Sequence, residues 1–287
     1  MNLSRMELAD FGNPTKIVEA IFQQFSKIRL PIPVEDIALS LDIKEIAKLS
    51  TQGYVGGLLI DKDLSSGIIL VSDNLSEQRR RFTIGHELGH FLIPWHAMDA
   101  NLTFSCSAEQ MRIGDVASKD KYRRKEAEAN KFSAELIMPS SLFRQEMRKK
   151  PEPCLGDIFS MADRFNVSKE ACARRYVELH DEVCAIVISK DGFVCYFYRQ
   201  DEFPYLNVQQ EMPIPKGVLS ADPKIMAGEL TEAIEVESDT WLSESKEQLP
   251  PTLVEQTYKY PSGYQMTLLY LVGEEDQGDD LMDGVCF

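Results

Sequence analysis

Apolar positions between residues 15 and 49 recur at helical spacing: Ile17, Val18, Ile21, Phe22 and Phe25, then Ile37, Leu39 and Leu41 after the Pro-rich stretch LPIPVED. Two helices separated by a turn are expected there. The texture then changes: GYVGGLLIDKD and SSGIILVSDN are short apolar and β-branched runs bounded by Gly, Asp and Ser. This predicts two strands joined by a turn from Asp63 to Ser66. Asn74 or Ser76 can cap a following helix with Glu77 in its first turn, and the period runs through Phe82, Leu88 and Phe91 until Pro94 stops it. Residues 95–118 have no clear period and read as a loop or irregular insertion. A second helix is expected from about Lys119 to Met138, ended by Pro139.

Beyond Pro151-Glu152-Pro153, LGDIFSMADRFNVSKEACARRYVEL gives an apolar helix, a tight turn at Asn166-Val167-Ser168 and a helix capped by Ser168, the shape of a helix-turn-helix. From Glu182 the chain alternates in two runs around Lys190-Asp191-Gly192, a hairpin signal. With YQMTLLYLV near the end, the last hundred residues read as α+β with a prominent sheet, followed by an acidic tail, GEEDQGDDLMDGVCF.

Composition adds bounds. An apolar content of 44% in 287 residues supports a real core and two or three domains rather than one. The N-terminal residues lack the pattern of a secretory signal, and no apolar run is long enough for a membrane helix, so a soluble, cytoplasmic protein is expected. Cys106, Cys154, Cys172, Cys184, Cys195 and Cys286 are scattered without a C-x-x-C pair, which argues for reduced, mostly buried thiols. Charge is uneven: residues 201–287 carry 18 Asp and Glu against 4 Lys, or −14, while the rest carries 28 acidic against 27 basic residues, or −1. Such an acidic third repels phosphate backbones.

The stretch RRRFTIGHELGHFLI, Arg79 to Ile93, carries the candidate chemistry. On a helix, residues four apart share a face, so His86 and His90 can converge on one metal ion. Glu87, one residue after the first ligand, can place a carboxylate beside the open coordination position and act as general base. Gly89 allows another element to approach closely. A catalytic zinc site needs a third protein ligand. His96 lies six residues past His90, beyond Pro94, and His180 closes the helix-turn-helix segment, where a surface position is expected; neither fits well. The acidic helix offers Glu126 and Glu128. Glu126 is preferred because it shares a helical face with the small or polar Ala129, Asn130 and Ser133. Tyr122 or one of Arg79, Arg80 and Arg81 is available as an oxyanion donor, a role left unassigned.

RRRFTIGHELGHFLI followed by EAEANKFSAELIMP resembles the ImmA/IrrE group of bacterial and phage zinc metallopeptidases, whose pattern is F-T-x-A-H-E-x-G-H and then E-x-x-A-N-x-F-A-x-x-L-L-M-P. The resemblance covers about residues 74–139. It implies that His86, His90 and Glu126 hold Zn²⁺, that Glu87 activates water, and that Asn130 orients a histidine ligand from behind. Gly85 and Ser133 depart from the pattern, each standing where Ala is usual. Larger members append a helix-turn-helix segment and a GAF-like sensor domain. The organisation implied is therefore α+β: a zincin-like metallopeptidase domain at residues 1–148, a helix-turn-helix segment at 149–181, and a C-terminal α+β domain at 182–287.

The function implied by the resemblance is limited proteolysis of an XRE-type helix-turn-helix repressor, switching on genes of a mobile element or stress response. Two other readings compete. Residues 154–180 could read DNA, with the metal site structural; but residues 151–180 carry Arg164, Lys169, Arg174 and Arg175 against five acidic residues, poor support for phosphate contact. Alternatively, the acidic third binds a basic partner, as in a toxin-antitoxin pair. An intact Glu87 argues against a purely structural metal.

Overall fold

The computed structural model describes residues 3–49, 53–98, 103–106, 120–149, 152–243 and 252–271. Two compact units divide the chain: residues 1–150 with 157–179, and residues 151–156 with 180–287.

In the first unit, α1 (Pro14–Gln23) starts behind Asn13, whose side chain accepts from the N–H groups of Thr15 and Lys16, with Pro at the first helical position. Helix α2 (Val34–Ser40) follows the Pro-rich turn. Ile17, Val18, Ile21, Ile37 and Leu41 are buried as the period requires, whereas Leu39 is exposed. Residues 43–49, expected to continue the helical pattern, instead form strand β1 (Ile43–Leu49). Asp42, at φ 68°, takes the left-handed conformation that ends the helical run. The difference has a physical cause: β1 is an edge strand with Lys44, Glu45 and Lys48 in it, so clean alternation is absent.

The expected strand pair is β2 (Gly56–Ile60) and β3 (Gly67–Ser72), antiparallel, with Ile60 opposite Gly67. At their turn the Asp61 carboxylate accepts from the Ser65 N–H and from the hydroxyls of Ser65 and Ser66 at 2.6–2.7 Å. Strand β1 pairs parallel to β3, and β4 (Thr103–Cys106) pairs antiparallel to β2, giving the order β1-β3-β2-β4. Strand β4 and a short helix α4 (Pro94–Met98) therefore lie inside the stretch expected to be irregular.

Helix α3 (Glu77–Leu92) carries the histidine motif, capped by Ser76, which accepts from the Arg79 N–H at 3.3 Å. It stops where Ile93 turns extended ahead of Pro94. Helix α5 (Lys121–Ile137), capped by Asp120, packs along α3, which also lies on β2 and β3. Glycine makes that approach possible: a Cβ on Gly89 would stand 3.0–3.2 Å from the Phe132 side chain, and one on Gly85 would stand 2.6 Å from Ser133 Oγ.

After α6 (Ser140–Met147), the expected helix pair is α7 (Leu155–Phe165) and α8 (Lys169–Leu179). Asn166 turns at φ 52°, and Ser168 Oγ accepts from the Ala171 N–H at 3.1 Å. Arg175 of α8 is buried; it donates to the Met138 carbonyl and Ser140 Oγ at 2.8–3.2 Å and is paired with the Glu135 carboxylate of α5.

The second unit is built on an antiparallel sheet of β5 (Cys184–Lys190), β6 (Phe193–Arg199), β7 (Ile234–Glu237), β8 (Thr252–Lys259) and β9 (Tyr264–Leu271), in the order β6-β5-β9-β8-β7. The expected hairpin turns through Asp191 and Gly192, both at positive φ, as a two-residue turn between right-twisted strands requires. Trp241, Phe203, Val187, Val194, Leu253 and Leu269 form its core. Short 3-10 turns occur at Leu219–Ala221 and Ser238–Thr240, and among the described residues no α-helix follows Leu179. The chain as a whole is α+β, a metallopeptidase-like unit and a C-terminal sheet unit. The acidic tail and Cys286 lie outside the described residues. Among those described, Cys172 and Cys184 are buried free thiols, and Cys154 and Cys195 are half-buried ones. No described helix is long and apolar enough to cross a membrane.

Candidate metal centre

One turn of α3 separates His86 from His90, and their Nε2 atoms lie 3.1 Å apart. From α5, Glu126 brings Oε2 to 3.4 Å from His86 Nε2 and Oε1 to 3.4 Å from His90 Nε2. A tetrahedral ion with bonds of about 2.0–2.1 Å requires its ligand atoms about 3.3 Å from one another, so these spacings, with a different Glu126 oxygen facing each ring, are compatible with a bound metal ion. All three side chains are buried.

Electrostatics favour the ligand forms. Burial holds the His90 ring far below its ordinary value, at about 4, so the ring is neutral near pH 7, the form in which an imidazole ligates a metal. Burial pulls the Glu126 carboxyl upward, but the facing rings of His86 and His90 outweigh it and hold it ionised, at about 2. Two imidazoles and a carboxylate form a donor set that leaves a fourth position for water or substrate.

Glu87 sits on the same turn of α3 as His86 and is fully buried. Asn130, one turn beyond Glu126, places Oδ1 2.9 Å from His86 Nδ1. An amide oxygen only accepts, so the His86 proton resides on Nδ1 and Nε2 is left bare toward the triangle.

His96 and Glu128, set aside as ligands on sequence grounds, stand behind the site. His96 is fully buried, with Nδ1 3.1 Å from His90 Nδ1 and Nε2 3.2 Å from Glu128 Oε2. Arg124 Nε donates to Glu128 Oε1 at 2.9 Å, and Lys125 Nζ donates to the His96 carbonyl at 3.0 Å. Two glutamates separated by one residue diverge by about 200° around a helix, and that signal could have separated the ligand from its neighbour. The path of the chain past Pro94, which returns His96 to His90, left none. His180, expected at the surface, is buried in the second unit, where Nδ1 accepts from the Glu182 N–H at 2.9 Å.

The arginines considered as oxyanion donors are engaged otherwise: Arg79 stacks over Phe82, Arg80 pairs with Glu35 at 3.0 Å, and Arg81 donates to the Phe165 carbonyl. Tyr122 lies in the first turn of α5 and is half exposed.

The model of the IrrE N-terminal-like peptidase domain matches residues 38–176, from α2 through α7 and into α8. An uncharacterised immunity region protein 2 of Bacillus phage phi105 is 30% identical over 156 residues, 54% of this chain and 88% of that relative. The chain belongs to the ImmA/IrrE family. Membership carries with it a metallopeptidase domain and a metal requirement, with which the His86, His90 and Glu126 cluster is compatible. Among solved structures, a Mycobacterium tuberculosis transcriptional regulator superposes with a TM-score of 0.52 at 14% identity, covering 99% of this chain and 98% of its own. At that identity the likeness concerns fold alone.

Proposed function

We propose that this protein is a zinc-dependent endopeptidase of the cytoplasm that cleaves an XRE-type helix-turn-helix repressor and so derepresses genes of a mobile element or stress response. The single observation that carries the proposal is the convergence of His86, His90 and Glu126 at tetrahedral ligand spacing, with Glu87 on the same helical turn. A similar protein bearing the name of a phage immunity region supports a repressor as the substrate. The C-terminal sheet unit is then the candidate sensor of the activating signal.

In this reading His86, His90 and Glu126 hold the zinc ion, which supplies Lewis acidity at the scissile carbonyl and a water of lowered pKa. Glu87 takes the proton from the attacking water as its oxygen bonds to the peptide carbon. The same carboxyl then gives that proton to the leaving nitrogen as the C–N bond breaks. Asn130 keeps the His86 ring in the tautomer and orientation that ligation needs.

The DNA-reading alternative loses ground to the placement of its cations. Arg175 is buried against Glu135, and Arg164 pairs with Glu146 at 2.8 Å, so half of the basic residues counted for that role serve internal contacts. The test is Glu87→Gln in the full chain, assayed against an XRE-type repressor that the wild type cleaves. The variant is expected to bind zinc as the wild type does and to leave the repressor intact; cleavage at the wild-type rate overturns the proposal.

A further inference from the structure

We infer that His96 and Glu128 are positioning residues for the metal site: they fix the tautomer and orientation of His90 through a buried relay, as Asn130 does for His86 through a single contact. The inference rests on the reading of His86, His90 and Glu126 as metal ligands.

Proton placement along the relay follows from the geometry. If His90 ligates through Nε2, its one ring proton is on Nδ1, which faces His96 Nδ1 at 3.1 Å. His96 Nδ1 must then be the acceptor, which puts the His96 proton on Nε2, facing Glu128 Oε2 at 3.2 Å. The second Glu128 oxygen accepts from Arg124 Nε at 2.9 Å, so the relay ends on a cation. Each heteroatom has one role, and no second arrangement lets His90 ligate through Nε2 while both contacts are kept. His96 is also held from outside: Lys125 Nζ donates to its backbone carbonyl, and the Trp95 ring stands edge-on to the imidazole with centroids 4.5 Å apart. A carboxylate behind a ligating imidazole increases the ring's basicity toward the metal, and here the carboxylate acts through an intervening imidazole.

The test uses the full-length protein, with Zn²⁺ affinity measured by competition with a chromogenic chelator and the visible spectrum of the Co²⁺-loaded protein as the second readout. His96→Phe keeps a buried ring but has no acceptor. It is expected to weaken Zn²⁺ binding by about 10–100-fold and to shift the Co²⁺ bands. Glu128→Gln retains an acceptor oxygen for His96 and is expected to stay closer to wild type than Glu128→Ala does. Should His96→Phe fail to fold by circular dichroism, the Glu128 pair decides the matter. A folded His96→Phe, or Glu128→Ala, with wild-type affinity and an unchanged Co²⁺ spectrum overturns the relay while leaving the metal site standing. Failure of the wild-type chain itself to bind Zn²⁺ overturns the metal reading beneath it.

Discussion

Ser133 Oγ fills the space that a side chain on Gly85 would occupy: it lies 2.6 Å from the position of a Cβ there and donates to the Phe82 carbonyl at 2.7 Å. These are two of the positions at which the motifs depart from the pattern they resemble, and the structure brings them into contact on facing helices. The departures form a matched pair, a larger polar residue on α5 accommodated by a missing methyl on α3.

The pair predicts non-additive stability. Gly85→Ala alone overpacks the α3–α5 contact and should destabilise the first unit by about 1–3 kcal/mol, even though Ala favours the helix by roughly 1 kcal/mol. Combining it with Ser133→Ala should recover most of that loss. Chemical denaturation of the two single variants and the double variant measures the coupling; simple additivity would show that the steric conflict is absent.

The metal centre predicts a division between binding and turnover. His86→Ala and Glu126→Ala each remove one corner of the ligand triangle and should lose stoichiometric zinc by elemental analysis after dialysis. Glu87→Gln should keep it while cleavage falls by at least about 10²-fold, the lower range for a general base. Loss of zinc from Glu87→Gln would instead make Glu87 a ligand.

Arg175 predicts a large structural effect where a DNA-reading helix would show a binding effect. Replacing it with Ala removes the cation facing the buried Glu135 carboxylate, which keeps only its Ser140 hydrogen bonds, and leaves the Met138 carbonyl without these donors. The expected destabilisation is about 3–5 kcal/mol, as for other buried pairs broken on one side. Denaturant melts check this; a stable Arg175→Ala protein with altered DNA retention would favour the alternative.

Glu255 predicts a pH dependence in the second unit. The carboxyl is fully buried, and burial raises it above its ordinary 4.5 despite opposing hydrogen bonds from the Trp241 indole, the Ser220 N–H and Thr257. Because the raised value belongs to the folded state, the favourable contribution is fully present below pH 4.5 and is lost as pH rises through the folded value. Glu255→Gln cannot ionise, so its melting temperature relative to wild type should be more favourable at pH 7.5 than at pH 4. An equal difference at both pH values would exclude the shift.

Local chemistry was legible from the residues alone. The Ser76 cap, the stop before Pro94, the i and i+4 histidines, the Asp191-Gly192 turn and the Asn166-Val167-Ser168 turn each depend on conformational preferences within a few residues, and the fold honours all of them. Glu126 was legible because its helical face is small and polar, which marks the side that meets α3.

Tertiary structure decided what depends on distant partners. Strand β1 carries three charges along a sheet edge, and β4 joins β2 from a stretch with no period, so their strand character comes from partners rather than from their own pattern. His96 and Glu128 are separated by 32 positions, and Gly85 and Ser133 by 48. The sequence determined which side chains could bind a metal, because helical repeat and side-chain chemistry are local. Only the packing of α3, α4 and α5 decided which polar groups stand behind them, because a buried imidazole takes its proton placement from whatever the fold sets against its second nitrogen.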